Sequence, residues 1–417
     1  MSSYSLTERL LAQTLNKTPW LKRLLKICYQ TLNYWVYRKS CRYQSTQPLN
    51  TIPVNLETFF GYYDKSPISI DQHHILFHGS SLDTRYRPDS DTSISVCLWN
   101  VDQQAVVYQA AAKAYNWQQG ARSQWLTSSK FIYNNYSDEL GYHAVMVQLG
   151  DSGYNEQIIA NPIYDCYKDV FALSLSYERL HKLRPDYGYR NHAESGLIAG
   201  DNEDGIFFID LLTGQKKLLI SLTTLSNIKP LPRNDKIQHK VNHIMISPNG
   251  ERFMFLHRYL ISGRRYDRLM VANTDGTDLT ILADDEMVSH CCWLNDSEIL
   301  GYLRNSLLGD KYFRIDVNTK KIDVVGSGII DKFGDGHPSI FKNLMVFDCY
   351  PNKSRMKELF LFNLETNELI KLGEFFESLK YRGETRCDLH PRFSEDGTKI
   401  FFDSVHTGLR KLYWIDL

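Results

Sequence analysis

The sequence carries no surplus of charge: 48 Lys and Arg offset 48 Asp and Glu over 417 residues. A protein built to grip nucleic acid ordinarily shows a basic excess, so that class of partner is excluded. No apolar run approaches the roughly 20 residues that cross a bilayer. The N-terminus lacks the charged, apolar and small-residue order of a secretion signal, so a cytoplasmic protein is expected. Cysteine is sparse, with eight residues, no CxxC pair and only Cys291-Cys292 adjacent, which suits reduced, buried thiols. There is no Gly-rich phosphate loop on a strand-to-helix turn and no GxSxG elbow, which argues against nucleotide-sugar sites and serine peptidases. Aromatics, by contrast, reach 13%, with 26 Tyr, 20 Phe and 7 Trp, as in β-rich and carbohydrate-binding proteins.

The first fifty residues differ from the rest. Over 4–42, apolar residues such as Leu10, Leu11, Leu15, Leu24, Leu25, Cys28, Leu32 and Trp35 recur at spacings of three and four, a helical period. Thr18-Pro19 reads as a helix start, Thr18 as N-cap and Pro19 in the first turn. Arg9, Lys17, Lys22, Arg23, Lys26, Arg38, Lys39 and Arg42 face a single Glu8. A basic amphipathic segment of this kind suits a membrane-surface or partner contact, placing the protein peripherally at the inner membrane. The competing reading is a helix packed on the main domain with its basic face solvated. Residues 1–50 are therefore set apart as an N-terminal extension.

From residue 51 onward short β-type runs alternate with turns. Ser247-Pro248-Asn249-Gly250 leads into Arg252–Leu256, and Ser394-Glu395-Asp396-Gly397 into Lys399–Phe402, both strong hairpin signals. A second cue, an apolar strand ending in Asp or Asn before a Thr/Gly turn, recurs at 207–214, 269–276, 313–319 and 361–366. Aligned, the units start at His243, His290, His337 and His390, at intervals of 47, 47 and 53 residues, close to one four-stranded blade. Weaker starts fall near Asp64, Arg122 and Asp169, with an insertion that includes 177–196. The expected fold is all-β: a seven-bladed β-propeller over 51–417, closed by a strand from 51–57 pairing with the last blade.

The first strand of each blade lines the channel, so equivalent positions converge at one mouth. His243, His290, His337 and His390 then form an arc of imidazoles. Asp388 shares a strand face with His390, and His with a carboxylate suits a divalent metal such as Mn, Zn or Fe. Tyr63, Asp64, Lys65, Arg122 and Asp169 open the first three units, and Arg386 and Arg392 flank His390. Such a set suits an anionic sugar, Arg holding its carboxylate and Tyr stacking on its ring.

The His-rich repeats over 243–417 resemble the oligogalacturonate lyases and related TolB-like propellers. His243 matches the family's blade-opening His, and His290-Cys291-Cys292-Trp293 its His-x-x-Trp. Thr385-Arg386-Cys387-Asp388-Leu389-His390 aligns with a Gln-x-x-His-x-His cluster, with Asp388 in place of a His and Thr385 in place of the Gln. The resemblance implies a metal, typically Mn, on His290, Asp388 and His390, and β-elimination on a uronic-acid glycan. His243 or Arg258 would be the base, and His337 a ligand or proton donor. The acidic oligo- or polysaccharide is the implied partner. Two alternatives stand beside the lyase. One is a propeller that only binds a glycan or protein. The other is a component of bacterial surface-polysaccharide biosynthesis, glycosyl transfer included, to which Gly61–Pro67 has a weak likeness.

Overall fold

The computed structural model describes residues 19–150, 153–191, 200–230, 237–261 and 264–417. The helical pattern over 4–18 and the end of the insertion, 192–196, lie outside the described residues. Seven antiparallel sheets follow one another along the chain and make a seven-bladed propeller. The inner strands are Glu57–Phe59, Gln124–Thr127, Asp165–Tyr167, Gln238–Ile246, Val288–Trp293, Ser339–Phe341 and Arg392–Phe393, and those of blades two, three and four, and of five, six and seven, pack successively against one another.

Each blade is sandwiched between two others, and the sequence pattern follows from that. Second strands such as His74–Ser80 and Lys399–Ser404 are buried on both faces nearly throughout and read as continuous apolar runs. The outer strand Ala105–Ala112 is half exposed. The Asn-Gly and Asp-Gly turns have a tertiary reason as well as a local one. Gly250 (φ +79°) and Gly397 (φ +74°) take left-handed conformations, and a Cβ there would meet the Tyr167 ring at 2.6 Å and the Phe341 ring at 2.1 Å. Each glycine thus seats a hairpin on the preceding blade.

The ring is closed by both ends of the chain. Asn50 and Thr51 pair with Trp414 and Tyr413 as the fourth strand of blade seven. The closing strand is shorter than the expected 51–57, because Glu57–Phe59 is already the inner strand of blade one and the carbonyls of Val54 and Leu56 accept Lys411 Nζ. Tyr43–Ser45 adds a fifth strand to blade six, beside 373–375. The third inner strand starts at Asp165, not at Asp169, which lies in the turn after it. The first helix among the described residues, α1 (Pro19–Tyr37), lies within the expected helical segment, the expected N-cap Thr18 being outside the described residues. Two short helices, α2 (Tyr177–Leu183) and α3 (Leu222–Ile228), belong to blade three and its exit.

Across the seam, buried Asp403 accepts the amides of Phe60 at 3.0 Å and Gly61 at 2.9 Å and pairs with buried Arg392 at 3.3 Å. Removing that carboxylate strands a buried cation and two amides. Asp403→Ala is expected to cost about 3–5 kcal/mol, read as a lower denaturant midpoint; an unchanged midpoint contradicts this role for the seam.

Candidate functional site at the channel mouth

The inner strands deliver four histidines to one end of the channel. His243 and His290 sit inside inner strands at register shifts, between Asn242 and Met245 and between Val288 and Cys291. His337 and His390 each precede their strand by two residues. His243 (φ +55°) and His390 (φ +45°) are left-handed, a conformation that non-glycine residues hold only where the surroundings impose it. The bulges and the left-handed turns re-aim side chains toward the axis. The rings then run in an arc, with centroids 5.8 Å apart from His243 to His290, 4.1 Å on to His337 and 4.3 Å on to His390.

Tyr62 and Tyr63, threaded down the channel after the first inner strand, fill the centre of the arc. The Tyr62 ring lies 5.2 Å from His243 and 5.1 Å from His390, and its hydroxyl is 2.7 Å from His243 Nδ1. Tyr63 packs on His290 and His337 and donates to the Cys291 carbonyl at 2.9 Å. The insertion covers the arc from outside: Tyr187 is 6.0 Å from His243, and Asp186 pairs with Arg386 at 2.6 Å. Tyr350 stands beside His337.

Carboxylates that sequence reading missed set the imidazoles. His337 Nδ1 lies 2.8 Å from Asp348 Oδ1, and Asp348 also accepts the amides of His337 and His390. His290 Nδ1 lies 3.0 Å from Asp335. A carboxylate on Nδ1 fixes the tautomer and leaves Nε2 facing the site. The Nε2 atoms of both His337 and His390 are buried without a partner. Those two histidines and Asp388 offer three ligand atoms within 4.8 Å of one another, a group that could hold a metal ion. His290, expected in that set, stands one place farther round the arc on Asp335, and His337 occupies its place. Asp388 is not idle: it pairs with Lys357 at 3.1 Å and Arg386 at 2.7 Å. The signals were faint in sequence, since Asp335 lies two residues before His337 but Asp348 closes the next strand.

Titration divides the four rings. Burial, then the positive groups around them, holds His243 and His390 well below the ordinary histidine range, and burial with His337 lowers His290. Burial also opposes charge on His337, but Asp348 outweighs it and raises the pKa. Asp388 is driven the other way: Lys357 and Arg386 overcome its burial and keep it well below the usual carboxylate range.

The remaining expected residues are split. Arg386 stands at the mouth with its side chain 18% exposed. Arg258 is close behind, paired with Asp267 at 3.2 Å and with the Val288 carbonyl. Asp64 and Arg122 form a buried bidentate pair, with Arg122 also on the Tyr164 carbonyl and over its ring, so both serve the channel wall. Lys65 pairs with Asp165 and lines, with Ser66, Ser339 and Arg392, a cavity of about 160 Å³ farther down the channel. Arg392 is consumed by Asp403 and the Gly61 and His390 carbonyls. Asp169 is a surface partner of Lys130, in a turn at the opposite end from the histidines.

Sequence reading also passed over Lys240, which donates to the Leu183 carbonyl of the insertion at 3.1 Å. Burial, then Arg258 and Arg184, pushes its pKa down to about 7. Below that value the fold must hold a charged lysine in a buried, already cationic place. Between it and the ordinary lysine range the unfolded chain binds the extra proton, so stability rises with pH there. Lys240→Met is therefore expected to raise the denaturant midpoint at about pH 6 and to lose that advantage by about pH 10. An advantage equal at both pH values contradicts the assignment.

No family model and no curated protein matches the sequence. Among solved structures, an oligogalacturonate lyase from Vibrio parahaemolyticus superposes with a TM-score of 0.58 at 15% identity, over 90% of this chain and 96% of that one. An oligogalacturonate lyase in complex with manganese gives 0.58 and 15%, over 91% and 95%. TolB from Acinetobacter baumannii gives only 0.39 and 10%, over 79% and 77%, too distant to carry an argument. The chain has the seven-bladed propeller fold of the oligogalacturonate lyases.

Proposed function

We propose that the protein is a metal-dependent lyase-like enzyme acting by β-elimination on a uronic-acid-containing glycan at the histidine mouth. One observation carries the reading. Two buried imidazoles from different blades keep Nε2 unpartnered, and they converge with Asp388 at the channel mouth. An unpaired buried polar atom is costly, and two such histidines within reach of one carboxylate suit the donor set of a divalent cation. The likeness in fold to an oligogalacturonate lyase in complex with manganese supports the choice of Mn.

His337, Asp388 and His390 would hold the ion, with Asp348 fixing two of the three through their amides and His337 Nδ1. A bound divalent cation supplies a Lewis acid for the uronate carboxylate and the enolate-like charge that develops from it. Arg386, partly exposed beside Asp388 and Asp186, is the cation this chain offers to the same carboxylate. His243, held neutral by burial and its cationic neighbours, takes the C5 proton, with the Tyr62 hydroxyl on its ring to orient it. The C4–O4 bond then breaks, C4 and C5 become doubly bonded, and the imidazolium returns its proton to O4 of the departing sugar.

The test supplies the purified chain with Mn and presents oligogalacturonate and other uronate oligomers, following the ultraviolet absorbance of the unsaturated product. Product is expected from at least one of them, with kcat lowered by at least about a hundredfold in His243→Ala and His390→Ala. Uronate binding without product from any oligomer would replace the lyase by a binding propeller.

A further inference from the structure

Helix α1 is packed the wrong way round for a helix that merely caps a domain. Tyr29, Gln30 and Asn33 line a crevice with Pro351, Asn352, Lys353 and Arg355 of blade six, and Tyr34 lies against Phe376. That inner face is largely polar. On the opposite side Leu24, Cys28, Leu32 and Val36 form an i, i+4 row, with Leu25 and Trp35 on either side. All six are exposed: Leu32 by 67%, Trp35 by 61% and Val36 by 73%. An apolar stripe of this width is ordinarily what a helix buries. The helix does pack on the main domain with Lys26 and Arg38 solvated, but its apolar stripe meets solvent as well.

Charge identifies what covers it. Lys22 and Arg23 precede the stripe in the sequence, Lys26 lies within its span, and Arg38 and Arg42 follow it, Lys39 being paired with Glu374 of the propeller. Residues 19–42 contain no acid, in a chain whose net charge is zero. Arg38 lies over the Trp35 ring at 4.9 Å, an amphipathic pair suited to the headgroup level. No helix among the described residues is long and apolar enough to cross a membrane. We infer that α1 lies in the surface of an anionic lipid bilayer, its apolar stripe in the acyl boundary and its basic ends among the headgroups. The docking crevice joins the site: Pro351–Arg355 belong to the loop whose Tyr350 stands 5.9 Å from His337. The helix thus attaches to the end of the propeller where the histidine mouth opens.

Flotation of the full chain with vesicles tests this, comparing phosphatidylcholine alone with phosphatidylcholine containing about 30% phosphatidylglycerol. At least about tenfold more protein is expected on the anionic vesicles. The triple variant Leu32→Glu, Trp35→Glu, Val36→Glu should lose this binding while melting as the wild type does, since those side chains are already exposed. Lys26→Gln with Arg38→Gln and Arg42→Gln should weaken the anionic preference alone. Equal binding to both compositions, or no binding to either, overturns the inference. So does a dimer in sedimentation that the triple variant dissolves while vesicles stay bare, because the stripe would then belong to a second copy.

Discussion

Asp403 takes two amides from the first blade while holding Arg392 of its own, and through that seam a chain of seven separable sheets becomes a ring. The sheets on either side of the seam are far apart in sequence, so closure must overcome a long loop before it is rewarded. Once closed, the run from Phe60 to Ser66 has one path, down the axis. It carries Tyr62 and Tyr63 to the level of the histidines and delivers Asp64 and Lys65 to Arg122 and Asp165 below them. The aromatic plug, the ion-paired wall and the convergence of inner strands all follow from that closure.

Within the ring a second device differentiates chemically identical side chains. Asp348 accepts from two blades at once, so the backbone of His390 and both the backbone and ring of His337 share one anchor. Burial without such a carboxylate lowers His243 and His390, whereas His337 is raised. One arc thereby contains imidazoles that burial keeps neutral, beside His337, whose Nδ1 is held by the Asp348 carboxylate while its Nε2 stays unpartnered. Asp388 is kept ionised by Lys357 and Arg386, so its negative charge is present before any ligand arrives.

The blade count and the arc were legible because a repeat makes spacing informative. Histidines at a near-constant interval must meet once the blades are arranged around an axis. The functions of Asp64, Lys65, Arg122 and Arg392 were not legible, since a charged residue beside a channel reads alike whether it meets a substrate or an internal partner. Only geometry shows Arg122 consumed by Asp64 and Tyr164. Asp169 was misplaced by a strand that begins four residues earlier. Asp335 and Asp348 lay hidden because they reach the histidines by pairing between chain segments, which leaves no fixed spacing to read. The orientation of α1 was equally invisible: periodicity shows that a helix has two faces, but not which one the domain takes.

The central claim is that imidazoles from two blades and one carboxylate make a single cation site. It is tested most directly by titrating the full chain with Mn(II) and following free ion by electron paramagnetic resonance, beside the double variant His337→Ala, His390→Ala. The account predicts about one tight equivalent in the wild type, absent from a variant that still melts cooperatively. Equal uptake by both proteins, or none by the wild type, would contradict it and leave the arc a structural ring around Tyr62 and Tyr63.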